Sequence, residues 1–326
     1  MKAITYTEYG TADVLQFREI EKPVPQDNEV LVKVYASSAN PLDWRLMRAT
    51  PFLARLENGL FKPKNSLLGA DVAGRVEAVG SRVTQFRVGD EVFGDKFKTG
   101  LGAFAEYICM GEDALVLKPA NLSFEEAAAV PIASLTALQA LRDHGQIQAG
   151  QKVLINGASG GVGTFAVQIA KSFGAEVTGV TSTRNLDMVR ALGVDHVIDY
   201  TQEDFTQRDE QYDLILCAVG NHSVADYKRV LKPQGICVIV GFTALSLTFQ
   251  YMILGQFNKK PNTKRVILME AVKPKKADLT FMKSLLEAGQ VTPVIDRNYP
   301  LSETAEALRY LETGRARGKV TITVAK

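Results

Sequence analysis

The chain has 326 residues, 46% of them apolar and 23% charged, with a formal net charge of +2. This is the composition of an ordinary soluble globular protein long enough for two domains, and its balanced charge gives no electrostatic reason to expect nucleic acid or an anionic membrane as a partner. No run approaches ~20 consecutive apolar residues, so no membrane span is expected. The opening MKAITYTEYG has neither the apolar core of a signal peptide nor an Arg-rich amphipathic pattern, which makes the cytoplasm the expected compartment.

The first ~120 residues read as β-rich. Residues 29–36, EVLVKVYA, alternate with period 2, and 69–94 form short alternating segments punctuated by Gly74, Gly80, Gly89 and Gly94. Such spacing suits tight turns and barrel corners. Residues 103–110 add a further strand. At Ser123 the pattern changes: Ser123-Phe124-Glu125-Glu126 predicts a capping box that opens a helix. Pro131 interrupts that helix, and 134–143 resume its period.

From Lys152 strands and helices alternate. The pattern predicts strands at 152–156, 176–181, 196–199, 213–217, 235–240 and 265–271, with helices at 161–173, 185–192 and 223–230. That alternation specifies a doubly wound parallel sheet. Within it lies KVLINGASGGVGTFAVQIAKSFGAEVTGV, residues 152–180. A short apolar strand runs into Gly157, Gly160, Gly161 and Gly163, then into a helix with one apolar face. Glycine permits the tight turn and lets backbone N–H groups approach phosphate oxygens, while the helix N-terminus brings partial positive charge. The segment is a pyrophosphate cradle for a dinucleotide. In NAD sites an acidic residue about 20 residues past the glycines binds the ribose 2′-OH. Here the second strand ends Thr181-Ser182-Thr183-Arg184-Asn185, and no carboxylate appears before Asp187. Hydroxyls and an arginine suit a 2′-phosphate, so the expected cofactor is NADPH (NADP+).

The tail returns to mixed structure, with an amphipathic helix at 277–288, a short strand at 296–299, a helix at 302–312 and an alternating strand at 318–324. The three cysteines, Cys109, Cys217 and Cys237, fit no disulfide or CxxC pattern and read as buried thiols. The basic clusters Lys259-Lys260, Lys264-Arg265 and Lys273…Lys275-Lys276 read as solvated loop faces.

Together, Asn40-Pro41-Leu42-Asp43, GADVAGRVEAVG, VGDEVFG, AAAVPIASLTALQAL, GASGGVG, VIDY and ARGKVTI resemble, in order and spacing, the medium-chain dehydrogenase/reductase superfamily. The likeness is to its zinc-free quinone oxidoreductase (zeta-crystallin-like) and enone reductase branch. The resemblance implies an α/β protein: a discontinuous GroES-like β-barrel catalytic domain (1–122 and 273–326) and an inserted Rossmann NADP(H)-binding domain (123–272). It also implies a homodimer formed through strand 266–271, VILMEA. Zinc-dependent relatives carry Cys at Asn40, a His-Glu pair at Ala70-Asp71 and a four-cysteine loop. None of these is present, so no metal is expected.

The implied chemistry is hydride transfer to a quinone or an α,β-unsaturated carbonyl, acceptors electrophilic enough without a Lewis acid. By position, Asn40 and Asp43 fall in the active-site loop. Thr136 and Lys319 would lie near the cofactor. Ser159, Gly160, Gly161 and Val162 would meet the pyrophosphate, and Ser182, Arg184 and Tyr200 the 2′-phosphate. Val219, Gly220, Gly241 and Phe242 would line the groove. The apolar residues Phe52, Leu53, Leu56, Leu60 and Phe61, with Phe249, Tyr251, Met252 and Phe257, are the candidates for a substrate pocket or for plain core. A specialised enoyl reductase and a non-catalytic NADPH-binding sensor or docking protein are the alternative functions.

Overall fold

The computed structural model describes residues 1–50, 52, 54–97, 100–243, 246–247, 250–251 and 263–325. Its contacts divide the chain into two units: residues 1–135, 273–288 and 293–326, and residues 136–272 with 289–292.

In the first unit, β1 (Lys2–Thr5) and β2 (Gln16–Glu19) form an antiparallel pair. The main sheet has seven strands, six of them along its path. Its inner members are β3 (Glu29–Ala39), β4 (Asp71–Val79) and β5 (Glu91–Asp95), and β7 (Leu115–Leu117) closes one end. The other end comes from the tail, β14 (Ile295–Pro300) and β15 (Lys319–Thr323), giving the order β14-β15-β3-β4-β5-β7, with β6 (Tyr107–Gly111) paired to β3. β3 is long and nearly all buried because it has neighbours along both edges: β4 throughout, then β6 for its first half and β15 for its second. The strand expected at 103–110 begins only at Tyr107. Gly102 takes φ +143°, Ala103 donates its N–H to the Gly69 carbonyl, and Ala105 makes only an isolated antiparallel bridge to Ala3, so residues 103–105 join β1 locally and not β3.

Helix α1 (Pro41–Arg48) starts with proline at its first position, where no intrahelical N–H is needed, and ends at Ala49 with φ +50°. α2 (Ala54–Asn58) follows. α3 (Phe124–Ala128) opens on the expected capping box: Ser123 Oγ accepts from Glu126 N at 3.1 Å, and Ser123 N donates to Glu126 Oε2 at 2.8 Å. Pro131 then opens α4 (Pro131–Leu138), which loosens into π-helical turns over Gln139–His144.

The second unit holds a six-stranded parallel sheet in the order β10-β9-β8-β11-β12-β13. Its strands are β8 (Lys152–Asn156), β9 (Glu176–Thr181), β10 (His196–Asp199), β11 (Tyr212–Cys217), β12 (Leu231–Ile239) and β13 (Arg265–Leu268). The chain runs outward from β8 through β9 to β10, then returns to β11 beside β8, so the order reverses between β8 and β11. Helices α5 (Gly161–Ser172), α6 (Leu186–Ala191) and α7 (Val224–Arg229) connect the strands. The core is apolar and includes Leu154, Val180, Ile215, Ile239, Tyr227 and Val266. β12 starts earlier than its apolar run, because Leu231 also pairs with Tyr212 across a register shift. The tail adds α8 (Lys276–Glu287) and α9 (Thr304–Glu312). Among the described residues no helix is long and apolar enough to cross a membrane.

Candidate active site

Every cofactor candidate in the second unit, except Thr136 on α4, follows the carboxyl end of a parallel strand. That edge, at a reversal of strand order, is where doubly wound sheets take ligands. The turn after β8 is built by steric necessity. Gly157 has φ +91°. A Cβ on Gly163 would fall 2.0 Å from the Gly157 carbonyl oxygen, so only glycine lets α5 start this close to the strand. Gly160, the N-cap of α5, supplies no side-chain cap. The first-turn N–H groups of Gly161, Val162 and Gly163 therefore have no intrahelical acceptor, the condition under which a helix N-terminus can take an anion.

The turn after β9 holds the residues expected to choose the cofactor. Ser182 is half-buried and Arg184 is exposed, and Tyr200, with its side chain out in solvent, donates its N–H to the Thr181 carbonyl at 2.9 Å. Asp187 does not turn back toward this edge; it pairs with Arg190 at 2.9 Å on the helix surface. Asp199, at the end of β10, is held by the Thr183 and Thr201 hydroxyls and the Thr201 N–H, which keep its carboxyl below the usual range. Two buried polar atoms here have no protein partner, Thr181 Oγ1 and Asn185 Oδ1. Asn185 was not marked from the sequence; its amide donates to Ser159 Oγ at 3.0 Å and Ser182 Oγ at 3.3 Å.

After β11, Val219 and Gly220 form a turn pinned from below by a thiol. Cys217 Sγ accepts from Gly220 N at 3.2 Å and Asn156 Nδ2 at 3.3 Å, and lies 2.9 Å from Tyr227 Oη. Burial holds the Cys217 thiol above its ordinary value, so it acts as a neutral acceptor. Gly220 has φ +56°, and a Cβ there would lie 2.2 Å from the Gly241 carbonyl oxygen, which brings the two expected groove segments, 219–220 and 241–242, together. An uncapped glycine turn, serine hydroxyls and no free carboxylate after β9 fit a 2′-phosphorylated dinucleotide.

In the first unit Asn40, Asp43 and Lys319 meet in one buried cluster around Asp71, which the sequence names only as a position where zinc-dependent relatives carry a ligand and not as a site residue of this chain. Asn40, Asp43, Asp71 and Lys319 are all at most 3% exposed. Asp71 Oδ2 accepts from Ser38 Oγ at 2.5 Å, Asn40 Nδ2 at 2.8 Å and Lys319 Nζ at 3.3 Å, and its Oδ1 accepts from Ile132 N at 2.9 Å. Lys319 Nζ also donates to Asn40 Oδ1 at 2.6 Å. The second Asn40 amide donor goes to the Ser38 carbonyl at 3.3 Å. Both amide donors of Asn40 are thus directed at protein acceptors, and the uncommitted donor of the cluster is the third N–H of Lys319. Asp43 fixes the loop: its carboxylate accepts from Asn40 N at 2.7 Å and Gly69 N at 3.0 Å. Burial raises its carboxyl to about 7, opposed by those two N–H bonds; the nearby Asp71 charge raises it further and Lys319 opposes.

The apolar candidates separate. Phe52, Leu56, Leu60 and Phe61 are exposed, Phe61 at 89%, so they are not core, and Tyr251 is fully buried with its hydroxyl on the His222 carbonyl. Leu53, Phe249, Met252 and Phe257 lie outside the described residues.

A parallel sheet carrying such a cradle, in a chain with a second, mainly antiparallel β unit, defines a dinucleotide-dependent oxidoreductase. A model of the family described as "Zinc-binding dehydrogenase" matches residues 192–322, and one described as "Alcohol dehydrogenase GroES-like domain" matches residues 26–120. The chain is 37% identical to the 2-methylene-furan-3-one reductase of Solanum lycopersicum and 34% identical to the NADPH-dependent alkenal/one oxidoreductase, chloroplastic, of Arabidopsis thaliana, in each case over 99% of this chain and 79% of the relative. The solved structure of the quinone oxidoreductase from Coxiella burnetii superposes with a TM-score of 0.86 at 33% identity, over 99% of both chains. The chain belongs to the medium-chain dehydrogenase/reductase superfamily, among its quinone oxidoreductase homologues.

Zinc does not fit these residues. Among the described residues no group of three or more His, Cys, Asp or Glu is disposed to hold a metal ion. At the positions where zinc-dependent relatives have ligands, an Asn and an Asp instead hold the ammonium of Lys319. A resident cation satisfies Asp71 and repels a second one.

Proposed function

We propose that this protein is an NADPH-dependent, zinc-free reductase of quinones and α,β-unsaturated carbonyl compounds. The observation that carries the reading is the Lys319 ammonium seated on Asn40 and Asp71 in place of a Lewis acid. A site without a metal takes acceptors that are already polarised by conjugation, and the named activities of the relatives, alkenal/one and furanone reduction, are of that class. NADPH, when bound, supplies the hydride.

The chain's own residues divide the remaining work. Gly160, Gly161 and Val162 hold the pyrophosphate, Ser159 beside them, and Ser182, Arg184 and Tyr200 hold the 2′-phosphate. Thr136 lies toward the nicotinamide side, and Val219, Gly220, Gly241 and Phe242 line the cofactor groove. Lys319 directs its remaining N–H at cofactor or at the oxygen where charge develops, oriented by Asn40 and Asp71. Asp43 holds the loop that carries Asn40. The domains of this reading are a GroES-like barrel domain (1–122 and 273–326) and an NADP(H)-binding domain (123–272); the contact units differ from them in keeping 123–135 with the first unit and 289–292 with the second. A homodimer through β13, a cytoplasmic setting and no nucleic-acid partner complete the reading.

The test is NADPH oxidation against a quinone, a short 2-alkenal, an aryl enone and a simple ketone, each with and without a chelator. Chelator-insensitive turnover of the conjugated acceptors, with the ketone inert, is expected. Turnover of the ketone that a chelator abolishes would overturn the reading. NADPH binding with no turnover of any acceptor would favour a sensor or a specialised enoyl reductase.

A further inference from the structure

Asn185 has an obvious structural role that it does not perform. It is the N-cap of α6, yet its side chain makes no capping bond. It is only 4% exposed, and its Oδ1 has no partner. All of its side-chain hydrogen bonding goes through Nδ2 to two hydroxyls on different loops: Ser159 Oγ in the glycine turn and Ser182 Oγ after β9. An amide N–H can only donate, so each serine oxygen must accept, and each serine O–H is left to donate elsewhere. Turned the other way, the amide would draw both serine protons inward and leave two buried N–H donors unsatisfied instead of one carbonyl oxygen, the costlier arrangement.

We propose that Asn185 is the specificity-setting positioning residue of the cofactor site. By donating to both serine oxygens it fixes Ser159 and Ser182 as a pair of outward hydroxyl donors that converge on one phosphate group, the 2′-phosphate that distinguishes NADPH from NADH. Both oxygens lie within 3.3 Å of the same nitrogen, close enough for one phosphate to take a bond from each. This places Ser159 with the 2′-phosphate residues instead of the pyrophosphate ones. Orienting the pair before the ligand arrives spares the rotor ordering that two free hydroxyls would need. The inference rests on the NADPH reading of the site.

The discriminating variant is Asn185→Asp, isosteric but reversed in function: a carboxylate accepts both serine protons, turns their lone pairs outward and adds negative charge. Binding is read on the whole protein by fluorescence titration of NADPH and NADH, and by calorimetry with adenosine 2′,5′-bisphosphate against ADP. NADPH and the bisphosphate should weaken by roughly 30-fold or more, with NADH and ADP within about threefold. Equal loss for phosphorylated and unphosphorylated ligands would reduce Asn185 to a structural residue and overturn the inference. Asn185→Ala in a Ser159→Ala/Ser182→Ala background provides the second arm. It should leave the NADPH-to-NADH ratio where the double serine variant put it, because the residue acts through those hydroxyls. A further selective loss there also overturns the inference. Arg184→Ala separates the two failures. An NADPH-selective loss from Arg184→Ala without one from Asn185→Asp sinks the positioning role alone. No selectivity from either removes the 2′-phosphate reading, and the inference with it.

Discussion

Asp43 shows how two ordinary forces compete within one side chain. Two backbone N–H groups favour its charged form, but complete burial disfavours that form more strongly and moves the carboxyl from 3.8 to about 7. The native state therefore keeps a proton on Asp43 over a window in which the unfolded chain has lost it. Stability from this group is full below the unfolded value, declines as pH rises, and is gone once pH passes the folded value. Across that window the linkage amounts to about 4 kcal/mol. Asp43→Asn cannot titrate, and its amide would set a donor against one of the two backbone N–H groups, so it should be less stable at acid pH while losing this slope. Urea denaturation at about pH 5 and about pH 8 makes the comparison: wild type should fall relative to Asp43→Asn by a few kcal/mol between the two. An identical slope in both proteins would mean that the Asp43 proton is not the cause. The residues in contact with Asp43 were only half legible beforehand. Asn40-Pro41-x-Asp43 reads as a turn and cap from spacing alone. Asp71 does not announce itself, because a carboxylate inside an apolar strand has meaning only once Lys319, 248 residues away, is beside it.

At the scale of elements, the glycine turn was legible because its strand, turn and helix are contiguous, and Gly160 and Gly163 answer to neighbours within a few residues. The glycines nevertheless do different things. Gly163 makes room for backbone, whereas a Cβ on Gly160 would come no closer to protein than 3.6 Å, to the Gly157 carbonyl oxygen. Gly163→Ala should therefore push α5 off β8, costing about 2 kcal/mol or more and weakening NADPH and NADH alike. Gly160→Ala should change stability by less than about 1 kcal/mol, yet still weaken cofactor binding, because its methyl occupies the space a phosphate needs. Thermal melts with parallel titrations separate the two, and a Gly163→Ala protein of wild-type stability would contradict the steric account. Pattern reading also recovered the capping box at Ser123 and the parallel strands. It missed Asn185, whose side chain bridges loops 26 and 3 residues away, for the same reason it missed Asp71. Strand ends blurred where pairing, not composition, decides: Leu231 joins β12 by pairing with Tyr212, and Ala103 is drawn off the expected strand by its backbone bond to Gly69.

At the scale of the molecule, the division into two units follows from where the tail goes. β14 and β15 complete the sheet begun by β3, which makes the first unit discontinuous, and the parallel sheet is inserted between its parts. That sheet ends, among the described residues, at β13, with β12 on one side only. Met269 N donates to Ile239 O across that pair, so by strand alternation the N–H groups of Val266 and Leu268 point away from the sheet. Open edges of this kind invite pairing with a second copy. Proline at 268 would remove an outward N–H while leaving the inward ladder in place. If dimerisation uses this edge, Leu268→Pro should shift the sedimenting species from twice 35.6 kDa to a single 35.6 kDa chain, with cofactor titration retained. A variant that stays dimeric and folded would put the interface elsewhere.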